Sequence, residues 1–494
     1  MVCAIVATSV VHARAQNSPL HPPVASPPAP KPTAAGPRLE IGLADAVFIG
    51  LRDNRTVKSA YISRAAQKFD LFVAKTRFWP TATLTASETA TGSGALNAID
   101  TSLGPSVSWL IPTGAQFQFG WTRMDLRSPG SKAGSDTASI SVTQPLLRGG
   151  GLAFNAVPIR TAELQEKINR VNLKSTVVGT VTSIITAYRS LLAAQAQLVL
   201  SQDSLDRSNA QLATNQALID AGRMAAADII QTKADIANQQ VSLLQAEEQR
   251  NSAQLTLLSL LAMDLHTNIV AADQIQAQHV NIDLDRAIAI ALDDRPDYLS
   301  QRWSLEEARL NLITAKNARL WTLNAVGSLQ HQTQHGAATE TINPVTGTPL
   351  AVAGLATTSG SIGLQLSIPL GDFALQQGEV DATTAVRTQQ IALEDLRQQI
   401  EAQVRDAVQG VEMSWLQVEA ARRARSLAAQ TLTLEQEKQK VGRASNFEVL
   451  SFEASLRAAD NQELSASIAY LNALTSLDQQ LGTTLDTWKI DLND

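Results

Sequence analysis

The chain has 494 residues, 44% of them hydrophobic but only 4% aromatic, and a formal net charge of −6. Ala, Gln, Leu and Ser dominate, poor material for the three or four globular cores this length could hold, so an extended architecture is expected. Lys and Arg are scattered among acids with no basic stripe, which argues against nucleic acid as a partner.

The apolar opening segment Val2 to Val11 leads to Ala13-Arg14-Ala15, an A-x-A-like cleavage site followed by Gln16. Residues 1–15 therefore read as an export signal; it lacks a basic n-region, which points to a start codon placed too late or a weak signal. Cys3, the one cysteine, falls inside that signal and is not read as a lipid attachment point. Residues 16–38 read as a linker, since 17–37 hold eight of the eighteen prolines and favour extended, solvated polyproline II. No unbroken apolar run of about 18 residues occurs, so no transmembrane helix is expected and any membrane insertion must use a barrel.

From residue 39 the chain reads as a duplication, 39–280 and 281–494. Leu39-Glu40-Ile41-Gly42-Leu43-Ala44-Asp45-Ala46 recurs in outline as Val280-Asn281-Ile282-Asp283-Leu284-Asp285-Arg286-Ala287. The opening helices are placed from about Leu43 to Phe78 and from about Leu284 to Leu320, the second broken at Arg295-Pro296-Asp297, where proline forces its predecessor out of helical geometry.

Strand-like segments follow, about 80–146 in the first repeat and 322–369 in the second. Val107, Trp109 and Ile111 alternate with Ser106, Ser108 and Leu110, and after the turn Pro112-Thr113-Gly114, Phe117, Phe119 and Trp121 alternate with Gln116, Gln118 and Gly120. Ile140 and Val142, then Ile362, Leu364, Leu366 and Ile368, repeat the pattern, and Leu323 to Leu329 do so more weakly. A soluble sandwich also alternates in this way. Three features favour an outer-membrane barrel instead: the aromatic set Trp109, Phe117, Phe119 and Trp121, suited to an interfacial girdle; a small, hydroxylic opposite face; and polar, Gly-rich loops at Thr91–Thr101, Arg127–Asp136 and Gln332–Ser361. Two strands from each half make four, or six if a hairpin inserted in the first half also spans. Neither number closes in a bilayer, so several chains must share one barrel.

Helical hairpins come next, about 150–264 and 372–482. No proline interrupts the chain between Pro158 and Pro296 or after Pro369. Leu164, Ile168, Val171, Val178, Ile185, Tyr188, Leu192 and Val199 fall on coiled-coil spacings, and a helix from Leu152 to Asp220 reaches roughly 100 Å. Ala221-Gly222-Arg223 and Val441-Gly442-Arg443 read as the hairpin turns, with Gly222 and Gly442 as left-handed caps and Asp228 and Glu448 in the first turn of each returning helix. At the other end, Thr143-Gln144-Pro145-Leu146-Leu147-Arg148-Gly149-Gly150 and Ser367-Ile368-Pro369-Leu370-Gly371-Asp372 read as strand-to-helix corners: proline withholds a ladder donor and the glycines permit the bend.

This order, found twice in register over about residues 39–485, resembles the outer-membrane efflux protein family, the TolC-like channel-tunnels. The resemblance implies a mostly helical fold with a β-barrel part: a homotrimeric, twelve-stranded outer-membrane barrel continuous with a periplasmic α-helical barrel. The inserted hairpin near 105–124 is expected partly outside the membrane, although eighteen strands remain open. It also implies an exit duct for drugs, metals or secreted polypeptide in a tripartite efflux or type I secretion system, opened at its periplasmic tip by an adaptor and an inner-membrane pump. Gly222, Arg223, Asp228, Gly442, Arg443 and Glu448 take the docking positions. Ser451 stands where a second acid is common, and Ala444 where the family's arginine is expected, one place after Arg443.

Other chemistry is sparse. His331 and His335 are four apart but in a strand, which does not suit a metal, and Gly149-Gly150-Gly151 lacks the Lys-Ser/Thr of a phosphate loop. Asp293-Asp294 and Glu306-Glu307 read as solvated helix faces. No enzyme, cofactor or metal is expected; the alternative reading is a periplasmic or surface coiled-coil scaffold with no transport role.

Overall fold

A computed structural model describes residues 38–93, 96–128, 131–335, 339–342, 349–352 and 356–492. The expected signal, nearly all of the proline-rich linker and parts of the three polar loops lie outside the described residues.

The first half opens with β1 (Leu39–Ile41), α1 (Leu43–Asp53) and α2 (Arg55–Lys75). The single helix expected from Leu43 to Phe78 is divided at Asn54. Its ψ of 131° leaves helical space, and its side-chain oxygen accepts the N–H groups of Thr56 and Val57 at 2.8 and 3.2 Å. An N-cap thus makes the same break that Pro296 makes in the second half. Four strands follow: β2 (Thr81–Ser93), β3 (Leu96–Leu110), β4 (Gln116–Ser128) and β5 (Ser131–Pro145). Then come α3 (Leu152–Asn155), α4 (Val157–Asp220), α5 (Ile229–Leu260) and β6 (Ile269–Ala271), which pairs in parallel with β1.

The second half repeats the plan with α6 (Leu284–Asp294) and α7 (Pro296–Ala318), separated at the extended Arg295 as expected. It continues with β7 (Thr322–His335), β8 (Thr339–Ile342), β9 (Pro349–Val352) and β10 (Ala356–Ser367). The long helices α8 (Phe373–Lys440) and α9 (Asn446–Leu481) and the short α10 (Thr484–Thr487) complete it.

One sheet holds six strands in the order β10-β7-β5-β4-β3-β2, every neighbouring pair antiparallel. Of the four or six strands per chain that the sequence leaves open, this sheet holds six: the first half supplies four strands and the second two. The inserted hairpin belongs to the sheet. The strand with the faint signal is β2, which alternates Thr and Ser with Ala and so offers little hydrophobic contrast; the inserted hairpin itself, β3 and β4, alternates clearly. The Pro112-Thr113-Gly114 turn between β3 and β4 is tied to the β5 corner, with Gly151 N–H donating to Thr113 O at 3.1 Å and Gln144 Nε2 to the same carbonyl at 3.3 Å.

At 64 and 68 residues, α4 and α8 each run roughly 100 Å. α4 pairs with α5 and α8 with α9; α4 also lies against α9, and α7 against both α4 and α8, so the two hairpins form one bundle. Pro158 sits in the first turn of α4, where the missing N–H has no partner to lose. One window within Leu152–Asp220 has mean hydropathy 1.4 and suffices for a membrane span by length and composition, which a search for unbroken apolar runs does not register. With 56% of that window buried inside the protein, it is a core helix.

Two apolar cores result. The first surrounds the middle of α4, where Val181, Ile184, Ile185, Tyr188 and Leu191 meet Val47 of α1, Leu257 and Leu258 of α5, and Ile269. The second gathers Ile400, Val404, Val408 and Val411 of α8, Tyr470 and Leu477 of α9, and Ala287 and Ala291 of α6. Side chains also join the elements: Arg64 of α2, buried, donates from Nη1 to Glu166 Oε2 of α4 at 2.6 Å, and Arg189 of α4 donates to Leu471 O and Thr475 Oγ1 of α9 at 2.5 and 2.7 Å.

Candidate functional site: sheet faces, corners and helical tip

The register puts the apolar strand residues on one face. Phe117 stands opposite Trp109 and Val142, Phe119 opposite Val107 and Ile140, and Ile140 in turn opposite Leu329. Leu84 and Ala82 extend the face to one edge, and Ile362 and Leu364, opposite Gly327 and Ala325, to the other. The four expected aromatics share this face: Trp109 and Phe117 have ring centroids 5.7 Å apart, Phe117 and Phe119 6.5 Å, and Trp121 continues the column. Trp109 Nε1–H donates to Phe78 O at 2.9 Å, which satisfies its polar tip at the strand base. Ile362 and Leu364 are 93% and 72% exposed, so the monomer leaves a broad apolar surface open. One step beyond Trp121 on the same face, Arg123 pairs with Asp125 at 3.2 Å and Asp136 with His335 at 3.3 Å, closing the apolar band.

The opposite face carries Thr81, Thr83, Ser106, Ser108, Gln118, Ser139, Ser141, Ser328 and Ser361. Thr81 and Ser108 hydroxyls lie 2.7 Å apart, as do Ser87 and Ser102, and Ser328 and Ser361 2.8 Å. That face suits water.

At the first corner β5 ends at Pro145, and Gly149 and Gly151 take φ of 85° and 98°. A Cβ on Gly150 would meet Pro145 O at 2.6 Å, and one on Gly114 would meet Gly149 O at 2.4 Å. Asn155 Nδ2 donates to Gly149 O and Gly151 O, both at 3.0 Å, and Gly149 N–H donates to Asn317 Oδ1 at 2.7 Å. The second corner is simpler: β10 ends two residues before Pro369, Gly371 has φ 75°, and Asp372 caps α8 by accepting Ala374 N–H at 3.1 Å.

The helical turns form as expected. Gly222 and Gly442 have φ of 68° and 75°. Arg223 N–H donates to Leu218 O at 2.8 Å and Arg443 N–H to Lys438 O at 2.9 Å, the six-to-one bond of a Schellman cap. Arg223 and Arg443 are exposed. The returning helices differ. Ser445 and Glu448 make a capping box, Ser445 N–H donating to Glu448 Oε2 at 2.7 Å, and that bond holds the Glu448 carboxyl below the usual glutamate range. Asp228 instead closes a 3-10 turn, Ala226–Asp228, immediately before α5, and its side chain makes no cap bond.

Sequence reasoning missed what lies behind the tip. The buried residues of α4 are all apolar from Val181 to Ala194, and then Ser201, Ser204, Ser208, Gln211 and Asn215, all polar. The three-four spacing continues; only the chemistry changes, so a search for apolar periodicity stops at Val199. Facing them are Thr232 and Gln239 of α5, Gln439 of α8, and Asn446, Glu453 and Asp460 of α9. Asn215 Nδ2 donates to Thr232 Oγ1 and Asn446 Oδ1, both at 2.7 Å, Ser208 Oγ to Asp235 Oδ2 at 2.6 Å, and Arg425 Nε to Asp460 Oδ1 at 2.9 Å. Glu453 is 2% exposed with neither carboxylate oxygen hydrogen-bonded among the described residues, and burial pushes its carboxyl up. Among the described residues no three His, Cys, Asp or Glu side chains cluster as metal ligands; His331 faces Thr358 Oγ1 at 2.8 Å.

Two helices some 100 Å long, each paired with a shorter returning helix, that run into a two-faced antiparallel sheet define the channel-tunnel class of fold. The model of the outer membrane efflux protein family matches residues 51–263 and 287–483, one stretch in each half, and the chain belongs to that family. Among solved structures it is similar to the CmeC outer membrane channel of Campylobacter jejuni, at 13% identity over 90% of this chain and 86% of that one, with a TM-score of 0.65. Similar too are the outer membrane protein VceC of Vibrio cholerae (15%, 89% and 96%, 0.66) and the open state of the MtrE outer membrane channel of Neisseria gonorrhoeae (16%, 90% and 89%, 0.62). Identities this low speak for the fold alone. No curated protein matches the chain.

Proposed function

We propose that the protein is an outer-membrane channel-tunnel, the exit duct of a tripartite efflux or type I secretion system, assembled as a homotrimer and opened by a periplasmic adaptor and an inner-membrane pump. One observation carries the reading: a sheet with one apolar and one hydroxylic face, open along both edges. In hydrocarbon every backbone polar group needs a partner, so such a sheet is stable only when sister chains complete it into a barrel. The apolar face with Trp109, Phe117, Phe119 and Trp121 then meets lipid, and the hydroxylic face lines water.

In this reading residues 1–15 are the signal, 16–38 the linker, and 39–280 and 281–494 the two repeats, with most of the chain in the periplasm. The corners at Pro145, Gly149, Gly150, Pro369 and Gly371 turn the barrel into the helical tunnel. Gly222, Arg223, Asp228, Gly442, Arg443 and Glu448 present the docking surface of the tip. The polar seam behind it buries little apolar area, so hairpins separate there more readily than around the apolar cores. Conduction is passive, and the pump supplies the work.

The test is biochemical. Purified protein should form trimers that need detergent or lipid, and in a variant whose other tryptophans are phenylalanine, Trp109 and Trp121 fluorescence should be quenched by lipids brominated in the acyl chain. A water-soluble monomer without lipid sinks the proposal.

A further inference from the structure

We infer that the outward end of the sheet binds an acylated, acidic glycolipid of the outer leaflet, its anionic groups held by Arg127 and Lys132 and an acyl chain seated in the cavity over Ala138. The inference rests on the outer-membrane reading above. Arg127 of β4 and Lys132 of β5 stand directly opposite each other on the face that carries Phe117 and Ile140, and both side chains are exposed. Like charges facing each other across a strand pair repel, and among the described residues neither makes an ion pair. The acids nearest them are taken: Asp125 pairs with Arg123 at 3.2 Å and Asp136 with His335 at 3.3 Å. Glu88, the other acid on this face among the described residues, is on β2, two strands away from Arg127. The chain supplies no anion for the pair, and a bound one turns its repulsion into attraction.

Height decides which anion fits. Ala138 follows Lys132 by six positions along β5, about 20 Å of strand and about 15 Å along the membrane normal at a barrel tilt of about 40°. The apolar band ends at the row of Trp121 and Ala138, and the headgroup layer of a bilayer is only about 5–8 Å deep on each side. The phosphate of a glycerophospholipid in that layer reaches the row of Arg123 and Asp136, whose charges are already matched, and stops short of Arg127 and Lys132. The occupant must carry negative charge on a tall headgroup, which is the chemistry of a phosphorylated or carboxylated saccharide mounted on acyl chains. The cavity receives the other end. It has a volume of about 480 Å³ on the apolar face, walled by Phe119, Trp121, Ile140 and Leu329, and Ala138, opposite both Trp121 and His331, is the small residue of its floor. In hydrocarbon such a hollow takes an acyl chain, held by van der Waals contact with the aromatic walls.

Delipidated trimers of the full chain in mild detergent test the site, with rough lipopolysaccharide, phosphatidylglycerol and phosphatidylcholine as probes and native mass spectrometry to measure retention. Lipopolysaccharide should bind the parent best and raise the heat resistance of its trimers. Arg127→Gln combined with Lys132→Gln should weaken that binding about twentyfold, at about fivefold per cation, while Arg127→Lys with Lys132→Arg keeps it. The single variants serve where the double one does not assemble, each losing about fivefold. Ala138→Trp, which fills the cavity, should weaken binding of the same lipid without altering its salt dependence. Without lipid the neutral variant should be at least as heat-resistant as the parent, because only repulsion is removed; with lipopolysaccharide the order should reverse. A neutral variant that is less stable without lipid, or that binds lipopolysaccharide as the parent does, overturns the site. Phosphatidylglycerol bound as tightly as lipopolysaccharide overturns the glycolipid assignment, and unchanged affinity in Ala138→Trp overturns the acyl seat. A water-soluble monomer with no need of lipid fails the outer-membrane reading itself.

Discussion

Asn215 of α4 and Asn446 of α9 are 231 positions apart in the chain, yet Asn215 Nδ2 donates to Asn446 Oδ1 at 2.7 Å, and both side chains are buried. The bond ties the first hairpin to the first residue of the second hairpin's returning helix. Thr232 Oγ1 accepts from both amides, at 2.7 and 3.2 Å, so three side chains satisfy one another where no water reaches. Removing one partner leaves the others desolvated, at about 1–3 kcal/mol. Asn446→Ala and Asn215→Ala should each speed amide exchange across residues 216–232, and the double variant should lose about 1 kcal/mol less than the sum. Strict additivity would mean that the two amides do not cooperate.

The turn glycines test the tip. A Cβ on Gly442 meets nothing within 4 Å, so substitution there strains only the backbone at φ 75°, at roughly 1–2 kcal/mol. Gly442→Val should therefore leave trimers intact on native gels while weakening adaptor coupling, seen as reduced drug tolerance of cells in which the channel serves an efflux pump. Unchanged tolerance removes the tip assignment.

Much of this fold was legible because duplication doubled each signal. The turns at Gly222 and Gly442 and the bends at Pro145 and Pro369 each occur twice, and conformation at such points is set by local chemistry. The choice between four and six strands was not legible: β2 is built largely of Thr, Ala and Ser, and period two without hydrophobic contrast is nearly silent. Asn54 escaped for a related reason, since a mid-helix cap lacks the punctuation of proline although it breaks the backbone as sharply. The polar seam kept its spacing and changed its chemistry, so the contacts by which Asn215 and Thr232 reach Asn446 in the other hairpin, 231 and 214 positions away, had no sequence marker.

The corner separates crowding from conformation. Gly114 and Gly151 share φ near 95°, but a Cβ on Gly114 would lie 2.4 Å from Gly149 O and 2.8 Å from Asn155 Nδ2, while one on Gly151 meets open space. Gly114→Ala should lose about 1–3 kcal/mol more than Gly151→Ala. Heat resistance of detergent trimers should follow that order; equal losses would show that the inserted turn does not brace the corner.

Glu453 makes the tip sensitive to pH. It faces Asp235 of α5, Arg207 of α4 and Arg457 one helical turn along α9, and burial outweighs the two arginines, so its carboxyl titrates above the ordinary glutamate range. Folded-state affinity for the proton therefore exceeds unfolded-state affinity. The resulting stabilisation is complete below the unfolded value of about 4.3 and is lost as pH rises through the raised folded value. Above it, a buried carboxylate with no hydrogen-bond donor favours separation of α9 from α4 and α5. One linked proton allows at most about a tenfold rise in local opening per pH unit. Amide exchange at the tip, corrected for its intrinsic pH dependence, should rise with pH in the parent protein and stay flat in Glu453→Gln, which keeps the shape and removes the charge. Parallel pH slopes in the two proteins would place the sensitivity elsewhere.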